Sequence, residues 1–189
     1  MEESEKTKQA KKRLNLKMDR EFASGGVVFK KVKGKGLKVK VLWLIAKSSP
    51  SEFYPESYWR LPKGWLDDEE DGKKPGPLGS GDKRATEKDL KKAALREVKE
   101  EGGVKAKIIS KLRTDRFFFT SSGKKMLKFV TYYLMEWISD LPEGPGIETS
   151  EVAWLPYDEA RKRLKHSGEK KVLDKARQVL KAGVQESLV

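Results

Sequence analysis

Three glutamates crowd into residues 95–104, Leu-Arg-Glu-Val-Lys-Glu-Glu-Gly-Gly-Val. At about 100° of rotation per residue, Glu97, Glu100 and Glu101 fall in one helical sector about 100° wide. Carboxylates that close repel one another, so stability alone gives little reason to gather them. A hard divalent cation such as Mg²⁺ gives a reason, because it is held by carboxylate oxygens and by the phosphate oxygens of a ligand. The plainer alternative is a solvated acidic helix face, which suits most isolated Glu-x-x-Glu-Glu segments.

The flanking residues have to position that cluster. Thr86 followed by Asp89 has the form of a capping box, and Leu90, Ala94 and Val98 repeat at four-residue spacing as an apolar helix face. Gly102-Gly103 ends the helix. Upstream, residues 22–33 and 39–46 read as strands joined by a turn at Gly34-Lys35-Gly36, with Gly25-Gly26 marking a bulge or a close backbone approach. Residues 58–62 form a short extended piece. Gly72, Pro75, Gly76, Pro77, Gly79 and Gly81 predict a long irregular loop over 67–86, either a lid or a tolerated insertion. Downstream, 104–112, 116–120 and 126–137 read as strands, with a turn at Ser121-Ser122-Gly123. A short strand at 151–155 precedes amphipathic helices at 156–165 and 169–182.

The 189 residues suit a basic N-terminal arm over 1–20 and a single domain over 21–189. A formal charge of +13 favours polyanions: nucleotides, RNA, inositol phosphates or anionic membrane. The lack of cysteine excludes disulfides, thiolate metal sites and a cysteine nucleophile, and suits a reducing cytoplasm. No apolar run approaches the roughly 18–20 residues that span a bilayer, and residues 1–20 lack the apolar core of a signal peptide. The expectation is a cytoplasmic protein without a membrane partner; nothing in the sequence specifies an oligomer.

Residues 96–104, Arg-Glu-Val-Lys-Glu-Glu-Gly-Gly-Val, match R-E-U-x-E-E-x-G-U at every position, where U is apolar. That pattern is the second half of the Nudix box. Gly64 and Glu70 satisfy the opening G-x5-E, but 25 residues rather than seven then separate Glu70 from Arg96. Glu87, one residue further from Arg96 than the pattern asks, is the preferred alternative, placed to pair with Arg96. Trp59-Arg60-Leu61-Pro62-Lys63-Gly64 resembles the entry segment of Nudix members acting on dinucleoside polyphosphates and diphosphoinositol polyphosphates. Tyr132-Tyr133-Leu134 and residues 148–155 resemble the late strand, acidic loop and tryptophan strand of those members. Over most of 22–180 the chain thus resembles Nudix hydrolases. The resemblance implies an α/β fold, an α/β/α sandwich with a mixed central sheet.

It also implies that Glu97, Glu100 and Glu101 ligate Mg²⁺ or Mn²⁺ together with the carbonyl of Gly64. The general base would be Glu97 or Glu148, with Glu151 behind them. Arg96 would orient the carboxylates, supported by Glu87, while Gly103 closes the helix. Arg60, Lys63, Lys124 and Lys128, with Lys125, are candidates for phosphate contact. Tyr58, Trp59, Phe117, Phe118 and Phe119 could stack on a base, although aromatics in strand-like runs are more often core. His166 reads as a surface residue without a role.

The expected function is metal-dependent hydrolysis of a pyrophosphate bond in a nucleoside diphosphate-linked, polyanionic small molecule, first of all a dinucleoside polyphosphate such as diadenosine tetraphosphate. The alternatives are a diphosphoinositol polyphosphate phosphohydrolase, an RNA 5′-pyrophosphohydrolase, and a non-catalytic binder of RNA or nucleotides. The intact Arg-Glu-x-x-Glu-Glu argues against the last, so nucleic acid is not the favoured partner.

Overall fold

The computed structural model describes residues 18–34, 38–51, 55–69, 72–121 and 123–186, with 184–186 described by backbone alone. Its strands are β1 (Asp19–Lys33), β2 (Val39–Ser48), β3 (Trp59–Arg60), β4 (Lys63–Trp65), β5 (Val104–Ser121), β6 (Lys124–Asp140) and β7 (Thr149–Leu155). Its helices are α1 (Pro77–Ser80), α2 (Glu87–Gly102), α3 (Tyr157–Arg163) and α4 (Ser167–Glu186).

The strands form one mixed sheet in the order β3-β2-β1-β6-β5, with β4 added to β1 and β7 to β2. β1 and β6 run parallel from the pair Asp19–Met126 to the pair Phe29–Glu136. On its other side β1 changes partner: residues 23–25 pair with β4, and residues 29–33 pair with β2. In the gap the Gly26 amide donates to the Pro62 carbonyl at 3.0 Å, which ties the start of β4 to the centre of the sheet.

Side chains alternate across the pleat, so each central strand feeds two cores. Val27, Phe29, Ile45, Tyr132 and Leu134 pack with Ala160, Leu164, Val172 and Leu173 of the α3–α4 region. Val28, Leu44, Tyr133 and Met135 pack with Ala94 and Val98 of α2. Helices therefore cover both faces of the sheet, as an α/β/α sandwich requires.

Three sequence expectations change. Residues 104–112 and 116–120 form one strand rather than two. Bulges between Lys105 and Ala106, Ile108 and Ser110, and Lys111 and Arg113 carry it through. Each bulge breaks the two-residue period. That is why Ile108 joins the α2 core while Leu112, four positions on, joins the opposite core. The irregular loop expected over 67–86 contains α1, with Pro77 at a position where its missing N–H costs nothing. Asp67 accepts from the amides of Leu78 at 3.1 Å and Gly79 at 2.7 Å, so the insert is a folded unit. Of the arm expected over 1–20, residues 1–17 lie outside the described residues, and Asp19 and Arg20 already belong to β1.

Candidate active site

Helix α2 begins as the sequence predicts. The Thr86 hydroxyl accepts from the Asp89 amide at 3.3 Å, and the Thr86 amide donates to the Asp89 carboxylate at 2.8 Å. Ala94 and Val98 form the buried apolar stripe. Beside it the helix buries two charged side chains: Glu97 is 7% exposed and Glu101 is 4% exposed. Glu100 does not join them. Its side chain is 55% exposed and comes no nearer than 3.9 Å to Arg96. A spread of 100° is enough to put two carboxylates under the β4 turn and leave the third in water. Among the described residues, no three acidic or histidine side chains are grouped closely enough to hold a metal ion.

The β4 turn is built around those two acids. A Cβ on Gly64 would collide with the Glu97 carboxylate, so glycine lets β4 approach with that side chain in place. Arg96 bonds Glu97 at 2.8 Å and donates to the Trp65 carbonyl at 2.6 Å. Glu101 is held by Arg60 at 2.7 Å and by the Lys63 amide at 2.8 Å. At the far end Gly103 caps α2 with φ +64°, and a Cβ there would meet the backbone of Pro145 at 2.6 Å. The loop after β6 therefore docks directly on the helix end.

Burial is the first cause that pushes the Glu97 carboxyl up to about 8, with the neighbouring charge of Glu101 adding to it. Burial also raises Glu101, against the pull of Arg60 and Lys63. Despite a guanidinium beside each, burial keeps both carboxyls reluctant to ionise without a further cation. A hard cation fits this all-oxygen donor set.

The loop joining β6 to β7 brings Glu148 into range. The Gly146 amide donates to the Glu100 carbonyl at 2.6 Å, and the Ser49 amide donates to the Glu148 carbonyl at 2.9 Å, so the loop is pinned on both sides. Glu148 is exposed, and its charge raises both Glu97 and Glu101. Glu151 instead faces Lys47 at 3.8 Å.

Glu87 does not pair with Arg96. It accepts from the Tyr133 hydroxyl at 2.8 Å and from Lys111 at 2.7 Å at the other end of α2. Nine positions separate Glu87 from Arg96, about two and a half helical turns, which is too far for contact. The acid across from Arg96 is Asp68, at 3.6 Å. Sequence reasoning missed it, although it stands in the acidic run that follows Gly64. Glu70, the other candidate, lies outside the described residues.

The expected phosphate contacts separate into three sets. Arg60 and Lys63 are engaged: Arg60 by Glu101, and Lys63 by Glu169 of α4 at 2.7 Å. Lys128 stands beside the site, bonded to the buried Glu21 at 3.1 Å, and Glu21 also accepts from the Trp65 indole at 2.9 Å. Its ammonium lies 5.4 Å from the Trp65 ring and 5.9 Å from the Phe119 ring. Lys124 projects on the same face four residues further out, roughly 13 Å along the strand. Lys125 lies over Phe118 on the opposite face.

The aromatic expectations also divide. Trp59 packs against the core, and Tyr58 meets His166 edge-on at 5.3 Å. Phe117 and Phe118, in contrast, are 39% and 57% exposed. Among the described residues, the β5–β6 hairpin extends past the last β1 pair, Asp19–Met126.

The family model described as the NUDIX domain matches residues 26–176. The chain is 27% identical over 122 residues to mutator protein MutT4 of Mycobacterium tuberculosis, a match covering 65% of this chain and 42% of that protein. The chain thus spans less than half the length of that curated relative. The solved fold of the C. elegans Ap4A hydrolase binary complex is similar at a TM-score of 0.55 and 22% identity, over 86% of this chain and 98% of that one. A NUDIX hydrolase from Nitrosomonas europaea is similar at 0.55 and 16% identity, over 84% and 89%. The MutT protein from Methanosarcina mazei is similar at 0.55 and 16%, over 88% and 99%. With the family model spanning the acidic helix and most of both cores, the chain belongs to the Nudix family.

Proposed function

We propose that this chain is a divalent-metal-dependent pyrophosphohydrolase whose substrate is a dinucleoside polyphosphate, diadenosine tetraphosphate in the first instance. The observation that carries the reading is the junction of Gly64 and Trp65. Gly64 seats the Glu97 carboxylate, and Trp65 opens onto a patch formed with Lys128 and Phe119. Acid chemistry and an aromatic, cationic surface therefore adjoin. A nucleotide can use both, through a polyphosphate and a base that stacks. An inositol pyrophosphate offers the polyphosphate alone. The Ap4A hydrolase among the similar folds agrees with this substrate at the level of architecture.

Glu97, Glu101 and the carbonyl of Gly64 would hold Mg²⁺ or Mn²⁺, with Glu100 turning in from solvent to complete the set. When bound, such an ion neutralises phosphate charge and makes water a stronger nucleophile. Arg96 orients Glu97 by binding it and the Trp65 carbonyl together. Glu148, exposed on its pinned loop, accepts the proton of the attacking water, with Glu97 as the alternative base. Lys128 offers its charge to the phosphate chain from beside the patch.

A substrate panel with Mg²⁺ and with Mn²⁺ tests the reading. Diadenosine tetraphosphate should give nucleotide products with kcat/KM at least tenfold above that for an inositol pyrophosphate or a 5′-triphosphorylated RNA. Orthophosphate release from the inositol compound alone would move the substrate to that class. No turnover of any of the three, together with RNA binding unaffected by Glu101→Gln, would make the chain a binder.

A further inference from the structure

We propose that Glu169, in the first turn of α4, is a positioning residue for the acidic site: through Lys63 it holds the Pro62-Lys63-Gly64 turn against Glu101 and Glu97. The proposal rests on the reading that those two acids and the Gly64 carbonyl form the metal site.

Lys63 makes two contacts in opposite directions. Its amide donates to Glu101 at 2.8 Å, and its ammonium meets Glu169 at 2.7 Å. The next residue, Gly64, lies against the Glu97 carboxylate. A lysine in a phosphate-handling turn would be expected in solvent, yet its side chain is 14% exposed and that of Glu169 is 5% exposed. Stability is a poor explanation for the pair. Desolvating two such charges cancels much of their attraction, and apolar side chains of similar size often serve as well or better. The second oxygen of Glu169 adds to the cost, because it is buried with no hydrogen-bond partner. Its position has another use.

The end of α4 is firmly located. Gly168 is so close to β5 that any Cβ there would collide with the Asp115 carboxylate. Tyr132 of β6 is wholly buried, and burial first, then the charges of Glu169, Asp115 and Glu101, holds its hydroxyl above the ordinary range. Held from both sides, Lys63 carries the placement of α4 through the sheet to the acids on α2. A partner of this kind, one contact removed from the ligands, sets their orientation, and its loss costs about 10- to 100-fold in metal affinity or activity.

The test compares the wild type with Lys63→Met, Glu169→Leu, the double variant and Glu169→Gln. Thermal melts are measured alongside Mn²⁺ affinity by electron paramagnetic resonance without substrate, and kcat and KM on diadenosine tetraphosphate. The double variant should melt within a few degrees of wild type while its Mn²⁺ Kd rises at least tenfold. Its kcat should fall with KM little changed. Glu169→Gln keeps an oxygen for Lys63 and should recover most of the Mn²⁺ affinity. If the double variant does not fold, the comparison of Glu169→Gln with Glu169→Leu decides. Wild-type Mn²⁺ binding and turnover in the double variant would make the pair structural only and overturn the proposal. So would a tenfold rise in KM for Lys63→Met with none for Glu169→Leu, since Lys63 would then meet the phosphates directly. A Mn²⁺ shift without turnover of any substrate by the wild type would leave the positioning role standing and remove the proposed reaction.

Discussion

Glu97 is where burial, repulsion and function meet in one side chain. Its carboxyl titrates near 8 in the folded protein, against an ordinary 4.5. Between those values the folded protein holds a proton that the unfolded chain has released, so metal-free stability falls as pH rises across that window. Melting temperature in EDTA should therefore decline from pH 5 to pH 8. Excess Mg²⁺ should flatten the decline, and Glu97→Gln should remove this contribution to it. Gly64 shows the same site from the backbone side. Gly64→Ala puts a methyl group onto the Glu97 carboxylate, so the acid or the β4 turn must move. Steady-state assays should find kcat down at least 100-fold, while circular dichroism shows the secondary structure retained.

At the scale of elements, α2 holds itself together locally while its neighbours depend on distant chain. Its capping box links residues three apart, and Thr86→Ala should cost about 1 kcal/mol in urea denaturation, with kcat nearly unchanged. A loss of activity larger than the loss of stability would mean that the helix start also shapes the site. The insert ahead of α2 is different in kind. Its structure rests on Asp67 meeting the amides of α1 and on Gly81 packing against Phe22 of β1, contacts that composition could not announce. Glycine and proline there indicate a departure from regular structure, and they are equally at home in a tightly turned, folded insert.

At the scale of the whole molecule, β5 is the last strand of the sheet among the described residues, a long strand paired there on one side only. Lys105, Lys107 and Lys111 are exposed along it, separated by less polar positions, an arrangement that discourages pairing with another chain. Replacing Lys105 and Lys107 with Val should leave the fold intact and raise aggregation, seen as growing light scattering at concentrations where the wild type is monodisperse. The same edge carries the exposed Phe117 and Phe118, for which the strand pattern favoured the core over stacking on a base. Strand pairing does not cover a face: β1 runs level with both rings through β6, Glu21 beside Lys128 and Arg20 beside Leu127, and both rings still stand exposed.

By itself the sequence determined what is local: α2 with its caps, the spacing that sets Glu97 and Glu101 on one side of it, and the succession of the longer strands and helices. These follow from dihedral preferences and from contacts three or four residues apart. Only the tertiary structure decided which carboxylates are buried and what faces them. Glu100 turns to solvent, Asp68 rather than Glu87 stands opposite Arg96, Glu21 meets Lys128 through the parallel pairing of β1 and β6, and Glu169 reaches Lys63 from the other layer. Such partners are far apart in the chain, and their meeting depends on strand register and layer packing, where a shift of one residue would turn each side chain to the opposite face.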